Sequence, residues 1–287
     1  MRLIRYGKPL SAILTVGLMA MSCGDDPEDP GTNAGATPDV VDTGECYVSD
    51  SEDYTESGPY AYDSTRIAGY EAWVPRAQGG CDTFPLVGFA LGTGTPASNY
   101  RAYYQHMASW GMIVVVDPSN LINLNGVSLK DMLRETLDDR SLNGKLLGTT
   151  GVVGHSQGGA AVVNAAADNS PNIDALVGLM PALFGSGNPE AAGLYIGGTS
   201  DAFGAATDPL GPYNDNAGPA FIADLRGQGH TVGSGRGSEA GIKGMNTAWL
   251  RCWLGGDDNA CSTFALNKTG SSCAFPGNWA KCEGKNF

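Results

Sequence analysis

From residue 84 onward, short fully apolar runs alternate with stretches of helical spacing. Phe84 to Ala90 (FPLVGFA) is apolar throughout and stops at a glycine loop, which predicts a buried strand. Ala97 to Trp110 spaces Tyr100, Tyr103, Tyr104, Met107 and Trp110 as one face of a helix. Met112 to Val116 (MIVVV) reads as a second buried strand, and Val127 to Asp139 as a helix with Leu129, Leu133 and Leu137 on one side. Thr149 to Val153 is the next expected strand, followed by an alanine-rich helix from Gly158 to Asp168. Further strands are expected at Ile173–Leu179, Leu194–Gly197 and Ala220–Leu225, and a closing helix at Glu239–Leu254. A run such as MIVVV shows no polar alternation, so both its faces must be covered. The expected class is therefore α/β: a mainly parallel central sheet with helices on both faces.

The first 45 residues break this pattern. Arg2, Arg5 and Lys8 precede a short apolar run, Leu10 to Met21, and Ala20 and Ser22 place small residues before Cys23. That is the layout of a secretory signal peptide over residues 1–22. The cut before Cys23 also resembles bacterial lipoprotein processing, in which Cys23 would carry lipid. Residues 24–45 are acidic, rich in Pro, Gly and Asp, and almost free of large apolar side chains. Such a segment buries too little to fold, so it is expected to be a flexible tether of about 25 Å. Residues 46–287 then form one domain.

Composition narrows the function. The chain carries 30 acids against 17 bases, a formal charge of -13, and removal of residues 1–22 makes the remainder more acidic still. A basic face for nucleic acid is excluded. No run reaches the ~18 apolar residues of a membrane-spanning helix. Seven cysteines are an odd number for an oxidising compartment. If Cys23 is lipidated, six remain for disulfides. Their order suggests Cys252 with Cys261 and Cys273 with Cys282, leaving Cys46 with Cys81, although other pairings stay open. The layout expected is an exported bacterial protein, lipid-anchored at the cell envelope or secreted, acting as a monomer.

Gly154-His155-Ser156-Gln157-Gly158 is a G-x-S-x-G motif between a predicted strand and a predicted helix, the setting of a nucleophile elbow. Only three histidines can supply a base to Ser156. His155 lies inside the elbow and His106 within a helix, where a packed or surface role is expected. His230 lies in a glycine-flanked loop before the last helix and is the candidate base. The orienting acid is expected after a late strand, and Asp201 in Gly197-Gly198-Thr199-Ser200-Asp201 fits, with Asp208 and Asp215 as competitors. Oxyanion donors are expected from the backbone N–H groups of Gln157 and of Thr93, in the loop after the first buried strand. No cysteine and histidine show metal-ligand spacing, and Asp257-Asp258 and the Asp201–Asp215 stretch lack a calcium-loop pattern, so a solvated acidic surface is expected there. No metal or cofactor is expected. Trp249 and Trp253, four apart on the last helix, read as core.

These motifs carry a resemblance over roughly residues 60–265. PLVGFALGTGT, the ASWG turn, MIVVVD, GHSQGG, GGTSD and NTAWLRCWL are similar to segments of the α/β-hydrolase superfamily, in particular the polyesterase-lipase-cutinase group and chlorophyllases. The resemblance implies an α/β-hydrolase fold, a triad of Ser156, Asp201 and His230, oxyanion donors at Thr93 and Gln157, and hydrolysis of carboxylic esters through an acyl-serine. Polyester-degrading members carry an aromatic residue where Thr93 stands and a tryptophan near Met180-Pro181-Ala182. Neither is present here, which turns the expectation toward small or aliphatic esters, with Phe203 as a possible replacement aromatic. A thioesterase and a non-catalytic surface-binding lipoprotein on a hydrolase scaffold are the alternatives.

Overall fold

A ten-stranded, mainly parallel sheet with helices on both faces organises the computed structural model, so the α/β class holds. The structure describes residues 46, 53–119, 124–168, 170–182, 187–234, 240–265, 269–270, 273 and 275–286, all within one unit, Asp42–Phe287. The expected signal segment 1–22, the lipid-attachment Cys23 and the tether 24–45 lie outside the described residues.

The strands in chain order are β1 (Tyr62–Ile67), β2 (Tyr70–Pro75), β3 (Phe84–Ala90), β4 (Ile113–Val116) and β5 (Leu146–His155). They continue as β6 (Ala175–Leu179), β7 (Ala192–Gly198), β8 (Ala220–Leu225), β9 (Thr269–Gly270) and β10 (Trp279–Lys285). Their spatial order is 1-2-4-3-5-6-7-8-10-9. The six strands β4, β3, β5, β6, β7 and β8 pair in parallel, while β1–β2 and β9–β10 add antiparallel margins. The helices are α1 (Arg101–Ser109), α2 (Val127–Leu137), α3 (Gln157–Ala166), α4 (Leu210–Asp215), α5 (Ala240–Gly255) and α6 (Asp258–Ala265).

Alternate strand residues enter two separate cores. Val87, Phe89, Val114, Val116, Val153, Val177, Leu194, Ile196 and Phe221 pack with Tyr103, Tyr104, Met107, Met245, Trp249 and Phe264 of α1, α5 and α6. Leu86, Ile113, Val115, Val152, Leu176, Tyr195 and Ile222 pack with Leu129, Met132, Leu133, Val162 and Val163 of α2 and α3. This is the arrangement that apolar runs without alternation require. Trp249 is fully buried and Trp253 partly so, both in the first core.

Element bounds shift modestly from the sequence pattern. The Ala97–Trp110 stretch is a 3-10 turn, Ala97–Tyr100, leading into α1, and the Thr149–Val153 strand extends to Leu146–His155. Glu239, the expected start of the last helix, lies outside the described residues. The antiparallel margins carried no readable signal: β1 (YDSTRI) exposes four consecutive residues, so it shows neither a buried run nor alternation.

Three disulfides join Cys46–Cys81, Cys252–Cys261 and Cys273–Cys282, with Cα separations of 5.4, 4.8 and 5.6 Å. They match the pairing suggested by cysteine order and indicate an oxidising environment. The first closes a segment that contains the β1–β2 hairpin. Among the described residues, no helix is long and apolar enough to cross a membrane. The expectation of a solvated acidic surface at Asp257-Asp258 needs correction. Asp258 is exposed, but Asp257 is 1% exposed, and its carboxylate accepts from Arg251 Nη2 at 2.9 Å. A carboxylate this deep survives only when paired and hydrogen-bonded.

Candidate active site

The sheet order itself makes a crevice. From β3 the chain crosses to β4 on one side, while β5 lies on the other, so the loops after β3 and β5 diverge. Ligand sites of parallel α/β sheets form at such a switch point, outside the carboxyl ends of the strands. Thr93 follows β3, Ser156 follows β5, Asp201 follows β7 and His230 follows β8, all at that end.

Ser156 occupies a sharp corner between β5 and α3. Its backbone lies at φ 57° and ψ -120°, a region costly for a residue with a side chain. Backbone hydrogen bonds to β6, to the loop after it and to α3 hold the corner. Ser156 N–H donates to Leu179 O at 3.0 Å, and Ser156 O accepts from Ala182 N at 2.9 Å and Ala160 N at 3.2 Å. The flanking glycines allow it sterically. A Cβ on Gly154 would lie 2.1 Å from Gly158 O, and one on Gly158 would lie 2.2 Å from Ala90 O.

The side chains meet in a continuous line. His230 Nε2 stands 2.8 Å from Ser156 Oγ, and His230 Nδ1 stands 2.8 Å from Asp201 Oδ2. The carboxylate oxygen can only accept, so Nδ1 carries a proton and donates it, while Nε2 faces the serine hydroxyl. Asp201 is 5% exposed at its side chain and His230 13%. The other carboxylate oxygen, Asp201 Oδ1, accepts from Phe203 N–H at 2.9 Å, which holds the acid in place. The competitors take no part: Asp208 Oδ1 accepts from Leu210 N–H, and Asp215 ends α4.

Gln157 opens α3, so its N–H belongs to the helix's unpaired first-turn donors. Thr93 is exposed in the facing loop, and its hydroxyl donates to Gln157 Oε1, which brings the two candidate donors' residues together. Phe203 is 61% exposed and meets the His230 ring edge-on, with centroids 4.6 Å apart. It forms an apolar wall beside this line of side chains. Among the described residues, no group of three or more His, Cys, Asp or Glu is placed to hold a metal.

Tyr100 and His155 border this line, and sequence reasoning gave neither a part in the site. His155, 3% exposed, joins Tyr100 through Nδ1 at 2.8 Å and the His230 carbonyl through Nε2 at 3.0 Å. Burial, then repulsion from His230, pulls its pKa down to about 4. The usable signal was a polar ring at the end of an otherwise apolar strand, which needs partners once buried. His106, for which a packed or a surface role was open, is buried. Its Nε2 donates to Tyr54 O at 2.8 Å, and burial likewise lowers its pKa to about 4.

No family model matches the chain, and no curated protein matches it. What the site offers follows from its own geometry: a hydroxyl, an imidazole whose Nε2 faces that hydroxyl, and a buried carboxylate behind the imidazole.

Proposed function

We propose that this chain is a serine hydrolase of the α/β-hydrolase type that cleaves carboxylic esters through an acyl-serine intermediate. The observation that carries the reading is the Ser156–His230–Asp201 line, joined at 2.8 Å and 2.8 Å on the strained corner after β5. The chain order Ser156, Asp201, His230 and the strand–corner–helix context support the same assignment.

The reaction would run in two halves. His230 Nε2 takes the Ser156 proton as Oγ attacks the ester carbonyl carbon. The carbonyl oxygen becomes an oxyanion facing the N–H groups of Thr93 and Gln157. Asp201 holds the imidazole tautomer and stabilises the imidazolium. Collapse expels the alcohol, which receives the proton from His230, and leaves Ser156 acylated. Water then attacks the acyl carbon as His230 accepts a proton from it, and collapse releases the carboxylic acid while His230 returns that proton to Ser156 Oγ. Phe203 suits a small or aliphatic acyl chain resting beside His230.

Hydrolysis of short and medium p-nitrophenyl esters by residues 46–287, with Ser156→Ala as control, tests this. Turnover abolished in a variant of unchanged fold supports the esterase. A preference for acyl thioesters over oxygen esters would shift the assignment to a thioesterase. Equal rates in both proteins, or none in either, would sink catalysis and favour a binding lipoprotein. The disulfides support export, and we propose lipid attachment at Cys23. Incorporation of a palmitate label that persists in Cys23→Ser would refute that attachment.

A further inference from the structure

We propose that Tyr100 and His155 form a positioning strut that ties the oxyanion loop to the loop of the general base. The proposal rests on the serine-hydrolase reading of the site and adds two residues that act through others.

The hydrogen bonds of the strut have only one consistent direction. His155 Nε2 lies 3.0 Å from the His230 carbonyl oxygen, which can only accept, so Nε2 carries the ring proton. His155 Nδ1 is then a lone pair, and the Tyr100 hydroxyl 2.8 Å away must donate to it. The same hydroxyl accepts from Gly92 N–H at 3.0 Å. The line therefore runs from Gly92 N–H to Tyr100 O–H, to His155 Nδ1, and from His155 Nε2–H to the carbonyl of His230. One end is the residue before Thr93, and the other is the backbone of the base itself.

Packing leaves the strut no slack. Tyr100 is fully buried, and the His155 and His230 rings stand 4.7 Å apart between centroids. A Cβ on Gly92 would lie 2.6 Å from His155 Nδ1 and 2.8 Å from Tyr100 Oη, so the loop closes on the strut only with glycine there. His155 also immediately precedes Ser156, so the strut touches all three loops that meet at the reacting carbon. The titratable groups facing His155 are Tyr100, His230 and Asp201. Its depressed pKa keeps the ring neutral at ordinary pH, as this direction of hydrogen bonding requires.

The contribution falls on the chemical step. Oxyanion donors and the base bind the transition state more tightly than the substrate, so their misplacement lowers kcat rather than raising KM.

Tyr100→Phe removes only the hydroxyl and takes a hydrogen-bond partner from Gly92 N–H, His155 Nδ1 and the Thr95 side chain. Active sites are counted by fluorophosphonate labelling of Ser156, so that loss of folded protein does not enter kcat. The expected result is a fall in kcat per labelled site of about 10- to 100-fold, with KM within about twofold. Tyr100→Phe combined with His155→Leu should cost no more than the worse single change, because both cut one line. Tyr104→Phe is the control, since that hydroxyl is buried with no hydrogen-bond partner among the described residues, and kcat should not change. Imidazole nitrogen NMR should show His155 as the Nε2–H tautomer, and Tyr100→Phe should shift the His230 signals. Unchanged kcat per labelled site in Tyr100→Phe, additive losses in the double variant, or an Nδ1–H His155 would overturn the strut alone. Absence of any turnover that depends on Ser156 would overturn the hydrolase reading and the strut with it.

Discussion

Two polar networks stand at different places in this molecule, and each is built around a buried carboxylate. At the carboxyl end of the sheet, Ser156, His230 and Asp201 are joined at 2.8 Å and 2.8 Å. Where α5 meets α6, Asp257 Oδ2 accepts from Arg251 Nε at 3.0 Å, Arg251 Nη2 at 2.9 Å and the Tyr54 hydroxyl at 3.0 Å. Asp257 Oδ1 accepts the first-turn N–H groups of α6, from Asn259 at 3.1 Å and Ala260 at 3.2 Å. Arg251 Nη1 donates to Trp110 O, and its guanidinium lies over the Trp110 ring. The second network is saturated and sealed, with Arg251 3% and Asp257 1% exposed at the side chain. The first is open at one end, where a hydroxyl faces the crevice. A buried carboxylate thus serves two purposes. With every lone pair matched by scaffold donors it holds elements together, and behind a histidine that faces a hydroxyl it completes the line on which the proposed hydrolase reading rests.

Substitutions should separate the two networks. Ser156→Ala is expected to lower ester turnover by more than about 10,000-fold while leaving the thermal midpoint almost unchanged. A large drop in stability would show that the corner, not the hydroxyl, was the essential feature. Asp257→Ala should do the reverse. It strands a buried guanidinium and uncaps α6, so urea unfolding should show a loss of about 3–5 kcal/mol. Its kcat per labelled Ser156 should match the parent protein, and a lower value would mean the networks are coupled.

Acid should weaken the scaffold through its buried histidines. His106 and His155 both have folded-state pKa values lowered from 6.5 to about 4. Protonation therefore favours the unfolded chain. Their contribution is complete above pH 6.5, is lost progressively as pH falls from 6.5 toward 4, and changes no further below that. Each histidine accounts for about 3 kcal/mol over this window. His106→Gln keeps a donor for Tyr54 O without titrating, so it should remove about half of the histidine-linked loss in unfolding free energy between pH 7 and pH 4. An identical pH profile in the variant would remove His106 from the account. The smallest effect is expected at Phe203, whose exposed ring borders His230. Phe203→Ala should raise KM for apolar acyl esters by about two- to tenfold, with little change in kcat or stability. An unchanged KM would place the acyl group elsewhere.

Much of this was legible in the chain because it was local. A run such as MIVVV announces a strand covered on both faces, and the two separate cores confirm it. Ser156 was legible because glycines two residues away on either side, a strand before and a helix after, are all set within a few residues. His230 followed from the scarcity of histidine, and Asp201 from its place after a late strand; in the structure His230 meets Ser156 and Asp201 meets His230. The cysteine order likewise anticipated the three disulfides.

What the tertiary structure decided depends on contacts between residues far apart in sequence, or on burial that local pattern does not encode. Asp257 sits in GGDDNA, a segment indistinguishable from a solvated acidic loop until Arg251, Tyr54 and the start of α6 close around it. The margins β1 and β10 take their strand form from the sheet edges they pair with rather than from their own composition. Tyr100 fits one face of a helical pattern, and His155 looks like the variable residue of a motif. Only the fold brings them together across 55 positions and gives each hydrogen bond its direction. Side-chain type and short spacing decide local conformation. Which polar atoms are buried, and against what, is decided when the sheet closes and water leaves.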